Sequence, residues 1–240
     1  SAIETIYGDI FFYMSTIENI YFPPSLKELK DEWCIGTNNL TKITIPPSNG
    51  QFIMKDDKYL LGKSDENNEE FDILLFACRD IKEISIPSNI KIISSCAFGY
   101  CNNLTKFEIQ SNSNLQIIGN FAFCESNIEE ISIPSTIKII SSYAFQYCKN
   151  LTKVEIPPNS NLQTIEKYAF YESSIKEIFI PSEVSKICSG AFYNCRNLTK
   201  VEIPPNSKLQ IIESETFAGT NIEEIYFPTS LKELKEGWCS

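Results

Sequence analysis

The chain has 240 residues, 42% hydrophobic and 12% aromatic, with a net charge of −10, nine cysteines and no histidine. That acidic balance argues against sequence-independent binding to nucleic acid, which needs a basic face, and against adsorption onto anionic lipid. No apolar run approaches the length that spans a bilayer, and without histidine a Ser-His or Cys-His nucleophile is excluded.

Residues 1–16 come first, and their opening Ser1-Ala2-Ile3-Glu4 lacks the charged and apolar regions of a signal peptide, which in a chain that begins in mid-pattern says little about the native protein. They read as the tail of a preceding insertion or coil, because Ile10-Phe11-Phe12-Tyr13 is similar to Ile73-Leu74-Leu75-Phe76 and each run precedes a repeat start, at Ile17 and Ile81. Residues 17–240 form a repeat array. Its first coil covers 17–39 and its second opens at Leu40. After Pro46-Pro47 the pattern breaks, and 41 residues separate Leu40 from Ile81. The excess, at about 49–80, predicts a β-hairpin projecting from coil two: Phe52-Ile53-Met54-Lys55, an Asp56-Asp57 turn and Lys58-Tyr59-Leu60-Leu61. An acidic loop at 65–70 and a returning strand at 71–77 follow; the loop is expected to be solvated rather than to bind Ca²⁺.

From Ile81 a 47-residue unit recurs without interruption, its leading isoleucine at Ile81, Ile128, Ile175 and Ile222 and its second half opening at Leu104, Leu151 and Leu198. The two halves are alike, so the module alternates between 23 and 24 residues. Repeats of this size predict a solenoid. Within a coil, Ile128-x-x-Ile131-x-Ile133 alternates as a short half-buried strand does, and Pro134, lacking an N–H, ends it. Ile137, Ile139 or Ile140 and then Ala144-Phe145 supply the far wall, expected to hold a turn or short 3₁₀ segment. One coil buries about seven apolar side chains, worth roughly 10–20 kcal/mol. Ordering its residues costs about 35 kcal/mol, so coils must stack. Cys101, Cys148 and Cys195 recur two coils apart, about 10 Å, too far for a disulfide, and read as small buried hydrophobes. Only Cys101 and Cys124 could meet in adjacent coils.

The Leu-x-x-Val-x-Ile-Pro strand resembles the leucine-rich repeat. The fuller Ile-Pro-x-x-Ile-x-x-Ile…Ala-Phe-x-x-Cys-x-Asn-Leu form resembles its BspA-like subclass, found in bacterial surface proteins and in parasitic protists such as trichomonads and Entamoeba. The coil ending Trp238-Cys239 and the hairpin insertion are most similar to the trichomonad members. The resemblance covers the chain from Ile17 and implies a right-handed solenoid with one continuous parallel sheet and irregular turns opposite. It also implies a surface or secreted role in adhesion and host interaction, through a protein or glycan ligand; the residues themselves, with no CxxC, phosphate-cradling glycine loop or EF-hand spacing, point to no cofactor or metal.

Candidate contact residues lie at strand positions three and five, expected to point outward. Position three reads Glu83, Lys106, Glu130, Lys153, Glu177, Lys200, Glu224, alternating in sign from coil to coil. Adjacent Glu and Lys would stabilise coil register by about 0.2–1 kcal/mol per pair or form a charged docking surface. Position five carries Tyr21, Glu155, Phe179 and Tyr226, and Phe179, where alternate coils have Ser85 and Ser132, is the expected exposed aromatic anchor. Asn39, Asn103, Asn150 and Asn197 each open an Asn-Leu-Thr sequon; the turn explains Asn and the core explains Leu, with glycosylation relevant only if the protein is secreted. Glu129-Glu130 recurs at Glu223-Glu224 and so reads as a repeat feature, not a catalytic pair. Two functions are compatible with these residues: a non-catalytic surface binder, or an intracellular scaffold suited to nine cysteines.

Residues 17–34 and 222–239 agree at 14 of 18 positions, including Trp33 and Trp238. The agreement predicts a super-repeat, with the protein continuing past Ser240 into an Asn-Leu-Thr-Lys strand and another hairpin, and with residues 222–240 fraying or stacking end to end on a neighbour. The full gene sequence checks this: a stop codon or unrelated sequence after Ser240 would remove its support.

Overall fold

The computed structural model describes residues 2–8, 15–65 and 67–239. The run Ile10-Phe11-Phe12-Tyr13 and Glu66 of the acidic loop lie outside them. The described residues form the expected solenoid, built of short strands and turns with no helix. Residues 2–8 already belong to a coil, since Thr5–Ile6 pairs in parallel with Glu28–Leu29 and Lys30 N–H donates to the Ile6 carbonyl.

Each coil has three runs. The first holds the Ile-x-x-Ile-x-Ile strand, as in Glu130–Ser132, where Ile131 points inward and its neighbours are exposed. The second holds a two-residue strand such as Ile139–Ile140. The third is the Ala-Phe turn. The core between them is repetitive: Ile131, Ile137, Ile140, Ala144 and Phe145 are buried together with their counterparts in neighbouring coils.

The distribution of sheet differs from the expectation. The first run is not a continuous ladder but a set of parallel pairs: Asn19–Tyr21 with Lys42–Thr44, Glu83–Ile86 with Lys106–Ile109, Glu130–Ser132 with Lys153–Glu155, and Glu177–Phe179 with Lys200–Glu202. The continuous ladder, of ten strands, lies in the second run, where irregular turns were expected. The alternating coil length supplies the reason. First-run strands pair across the 23-residue step and, apart from a single parallel bridge between Lys200 and Glu224, separate across the 24-residue step, as between Lys153–Glu155 and Glu177–Phe179. Across that seam one backbone bond remains next to the strands, Lys176 N–H to Thr152 C=O at 3.3 Å. The second run absorbs the mismatch by alternating 22- and 25-residue steps, and its strands keep register throughout.

The third run has its own backbone ladder, with Phe98, Phe123, Phe145, Phe170 and Phe192 each donating an N–H to the Ala or Thr of the next coil at 2.7–2.9 Å. Their rings stack at 5.0–5.3 Å, continuing to Phe217, each pair worth about 0.5–1.5 kcal/mol beyond burial. The turn is made by left-handed residues four apart, such as Tyr143 (φ 59°) and Tyr147 (φ 55°). Left-handed backbone is costly for bulky side chains, about 1–2 kcal/mol per residue. Here ring stacking offsets it, Phe121 on Tyr143 at 4.8 Å and Tyr143 on Tyr168 at 5.3 Å. The next place in that column is Gly190 (φ 62°), where a Cβ would meet the Tyr168 ring at 2.2 Å.

The insertion does not simply project. Phe52–Lys55 and Tyr59–Gly62 form the expected hairpin, with Asp56 and Asp57 both at positive φ in its turn. Ile73–Ala77 then joins the hairpin to the long ladder through Ile92–Ile93. The cause is apolar: Phe52, Leu60, Leu75 and Phe76 bury against Trp33, Phe22 and Leu26 in a second core. Arg79 is buried at the junction of the two cores. Its guanidinium donates to the carbonyls of Thr37, Ala97 and Cys96 and to the Thr37 hydroxyl, and lies 4.3 Å from the Phe76 ring centroid. Asp72 anchors the acidic loop, accepting from the Ser64 N–H and hydroxyl at 2.8 and 2.7 Å and pairing with Lys91 at 3.0 Å. Burial would raise its pKa, but these donors hold it below the usual carboxylate value.

All nine cysteines are free thiols, Cys101 and Cys124 included, and eight are buried. Burial pushes Cys148 and Cys195 up to about 12 and Cys34 up to about 11. A thiolate is the reactive form. In a thiol titration of the folded chain at pH 8, Cys239 alone should therefore react quickly, the other eight appearing only in denaturant; several fast thiols would contradict the buried columns.

Candidate functional site

The seam between Lys153–Glu155 and Glu177–Phe179 opens a depression of about 600 Å³ on the first-run face. Its floor is Val154, Ile156 and Ile178, and its walls carry Lys153, Glu155, Glu177, Phe179, Lys200 and Glu202. Five candidate residues therefore meet at one place. They meet because side chains two apart on a strand share a face, while pairing sets Glu177 beside Lys200 and Phe179 beside Glu202. Glu130 is on the same face, one strand away, paired in register with Lys153. Tyr21 and Tyr226 stand apart, 74% and 75% exposed.

Phe179 was expected to be fully exposed. It is half-buried, lining the depression at the seam together with Ile156 and Pro157. The charge ladder also differs in detail. Cα register places Glu130 beside Lys153 and Glu177 beside Lys200 as expected. Yet each lysine bonds the glutamate two residues along its own strand: Lys106–Glu108 at 3.3 Å, Lys153–Glu155 at 2.6 Å and Lys200–Glu202 at 3.4 Å. The hydrogen bond from Lys153, helped by one from the Ser132 hydroxyl, lowers the Glu155 pKa, and Glu155 raises that of Lys153. Such exposed pairs contribute little to stability. The Glu177 carboxylate makes no ion pair or hydrogen bond among the described residues; Glu177 lies beside Lys200 in register, and its charge helps raise the Lys153 pKa.

Related depressions recur along the face. One of about 520 Å³ lies between Glu202 and Tyr226, and one of about 360 Å³ joins Glu83, Ser85 and Lys106 to the hairpin residues Asp56 and Lys58. A broader groove of about 1110 Å³ runs between Lys42–Thr44 and the hairpin, bordered by Ile53, Asp57 and Phe71. The residue pattern gave no sign of this groove, because it depends on where the insertion packs. Asn39, Asn103, Asn150 and Asn197 are all exposed at coil corners, with the following leucine fully buried. The sequon threonines donate to the preceding coil's carbonyl at 3.4–3.5 Å. No group of three metal-ligating side chains exists among the described residues.

The family model described as a BspA type leucine rich repeat region matches in six copies, over residues 1–56, 69–187 and 116–238. The chain belongs to the BspA-type leucine-rich-repeat family. Solved structures share its fold. A leucine-rich repeat protein from Eubacterium ventriosum is 22% identical with a TM-score of 0.78, over 98% of this chain and 61% of its own. The pneumococcal vaccine antigen PcpA is 20% identical with a TM-score of 0.61, over 99% of this chain and 50% of its own. A leucine rich cell surface protein from Faecalibacterium prausnitzii is 17% identical with a TM-score of 0.51, over 99% of this chain and 62% of its own. The chain thus spans between half and two thirds of each of these proteins. No curated protein matches it. Glu177 and Phe179 lie outside the buried columns that the repeats of this chain share.

The site should be separable from the fold. Ile178→Ala, which empties a buried position, is expected to cost about 2–5 kcal/mol. Phe179→Ser, which restores the residue of Ser85 and Ser132, is expected to cost about 1 kcal/mol. Urea denaturation of the two variants checks this, and equal losses would mean that Phe179 is a core residue.

Proposed function

We propose that the chain is a non-catalytic binding module that docks a protein partner on its first-run face, at the surface of the cell that makes it. The observation that carries this reading is the Phe179 depression: a half-buried aromatic, a carboxylate with no ion pair or hydrogen bond among the described residues, and two exposed ion pairs converge where the strands part. Anchors of contact surfaces are commonly aromatic side chains in such settings. A surface role draws support from relatives whose names describe a cell surface protein and a vaccine antigen. Membership of the BspA-type family fits a host-derived protein or glycan ligand, and the trichomonad likeness of the Trp-Cys coil fits a host-associated source. In a secreted protein the four exposed sequon asparagines would be open to glycosylation. Among the described residues no helix is long and apolar enough to cross a membrane.

The second reading is an intracellular scaffold for protein–protein contacts, favoured by eight buried free thiols, since disulfides accumulate in oxidising compartments. Surface biotinylation of intact cells separates the two: labelling supports the first, and labelling only after lysis the second. Fluorescently labelled chain is then expected to bind host cell surfaces, with Phe179→Ser weakening that binding about thirtyfold, the loss of a hot-spot anchor. Unchanged binding would remove Phe179 from the contact.

A further inference from the structure

Resting on the reading that the Phe179 depression is a docking site, we infer that the group it takes is an arginine side chain of the partner protein. The equivalent places in alternate coils explain why this one is different. Two coils earlier the residue is Ser132, whose hydroxyl donates to Glu155 at 2.8 Å. Two coils later it is Tyr226, whose hydroxyl donates to Glu224 at 2.9 Å. Phe179 has no hydroxyl to donate, and the carboxylate of Glu177, two residues before it on the strand, makes no ion pair or hydrogen bond among the described residues; that of Glu130, before Ser132, makes none either, so what sets this place apart is an aromatic ring in the same depression as such a carboxylate.

The chain's own cations do not fill the place. Lys153 and Lys200 wall the depression, but Glu155 and Glu202 hold them. Among the described residues, cations lie over Phe71, Phe76 and Tyr147, and none lies over Phe179. The charged walls are two lysines against three glutamates, a net charge of −1. A guanidinium is planar, stacks on an aromatic face and bonds a carboxylate through two N–H groups. Glu177 and Phe179 are two strand residues apart, about 7 Å, within reach of one arginine side chain. An apolar side chain would instead desolvate Glu177 without a partner, and an anionic one would oppose it.

The test is an NMR titration of the folded chain, read at the Phe179 ring signals, which are identified by their absence in Phe179→Ser. The probes are acetyl-Gly-Arg-Gly-amide, the same peptide with citrulline as a neutral isostere of arginine, and the same peptide with leucine. The arginine peptide is expected to shift the ring signals with a Kd on the order of 1–10 mM, and the citrulline peptide to bind at least about fivefold more weakly. Glu177→Gln should weaken the arginine peptide about two- to fivefold and narrow its lead over citrulline. Equal or tighter binding of the citrulline or leucine peptide, or no effect of Glu177→Gln, would overturn the arginine inference while leaving a docking site in place. No shift from any peptide at about 20 mM would overturn both it and the docking reading on which it rests.

Discussion

Six phenylalanine rings, from Phe98 to Phe217, stack along the inside of the solenoid about one strand spacing apart, and the rest of the structure is arranged to keep that spacing. A ring stack and a backbone ladder have nearly the same repeat distance. One coil therefore cannot shift on the next without loosening both. The left-handed tyrosines at the turns are held by the same arrangement, since their strain is offset only while the coil below supplies a ring and a carbonyl. Cooperativity between neighbouring coils follows directly.

The solenoid was legible in the sequence because its signal is redundant. Every 47 residues the same Ile, Pro, Ala and Phe return, the apolar ones as core positions and the proline as the strand's end. The hairpin was legible for a different reason: Asp56-Asp57 sits between two alternating runs and tolerates positive φ. What the sequence hid was the path of each run. Steps of 23 and 24 residues look equivalent along the chain, but one residue of slack at a corner decides whether two strands exchange hydrogen bonds. Hence the continuous ladder was expected on the wrong run. The half-burial of Phe179 was missed by the same cause, since it lines a depression that opens where Lys153–Glu155 and Glu177–Phe179 do not pair.

The insertion illustrates how a solenoid tolerates an interruption. Its three strands continue the second-run ladder, and their apolar residues form a core with Trp33 rather than a detached lobe. The junction carries a buried arginine. Its charge is met by carbonyl oxygens and the face of Phe76, with no carboxylate bonded to it among the described residues. Removing it would take the charged second donor from carbonyls that otherwise accept only backbone N–H groups and would empty the boundary of two cores, so its place is structural.

The alternation of step length also makes this solenoid count in twos. Deleting a single coil would set two glutamates, or two lysines, opposite each other in the first run and put two steps of the same length in succession, breaking register on both sheet-bearing runs. Deleting two coils would leave every column as it was: charge, ring, thiol and turn. Length can therefore change smoothly only by whole pairs, and a surface built on the seams keeps its geometry whatever the number of pairs.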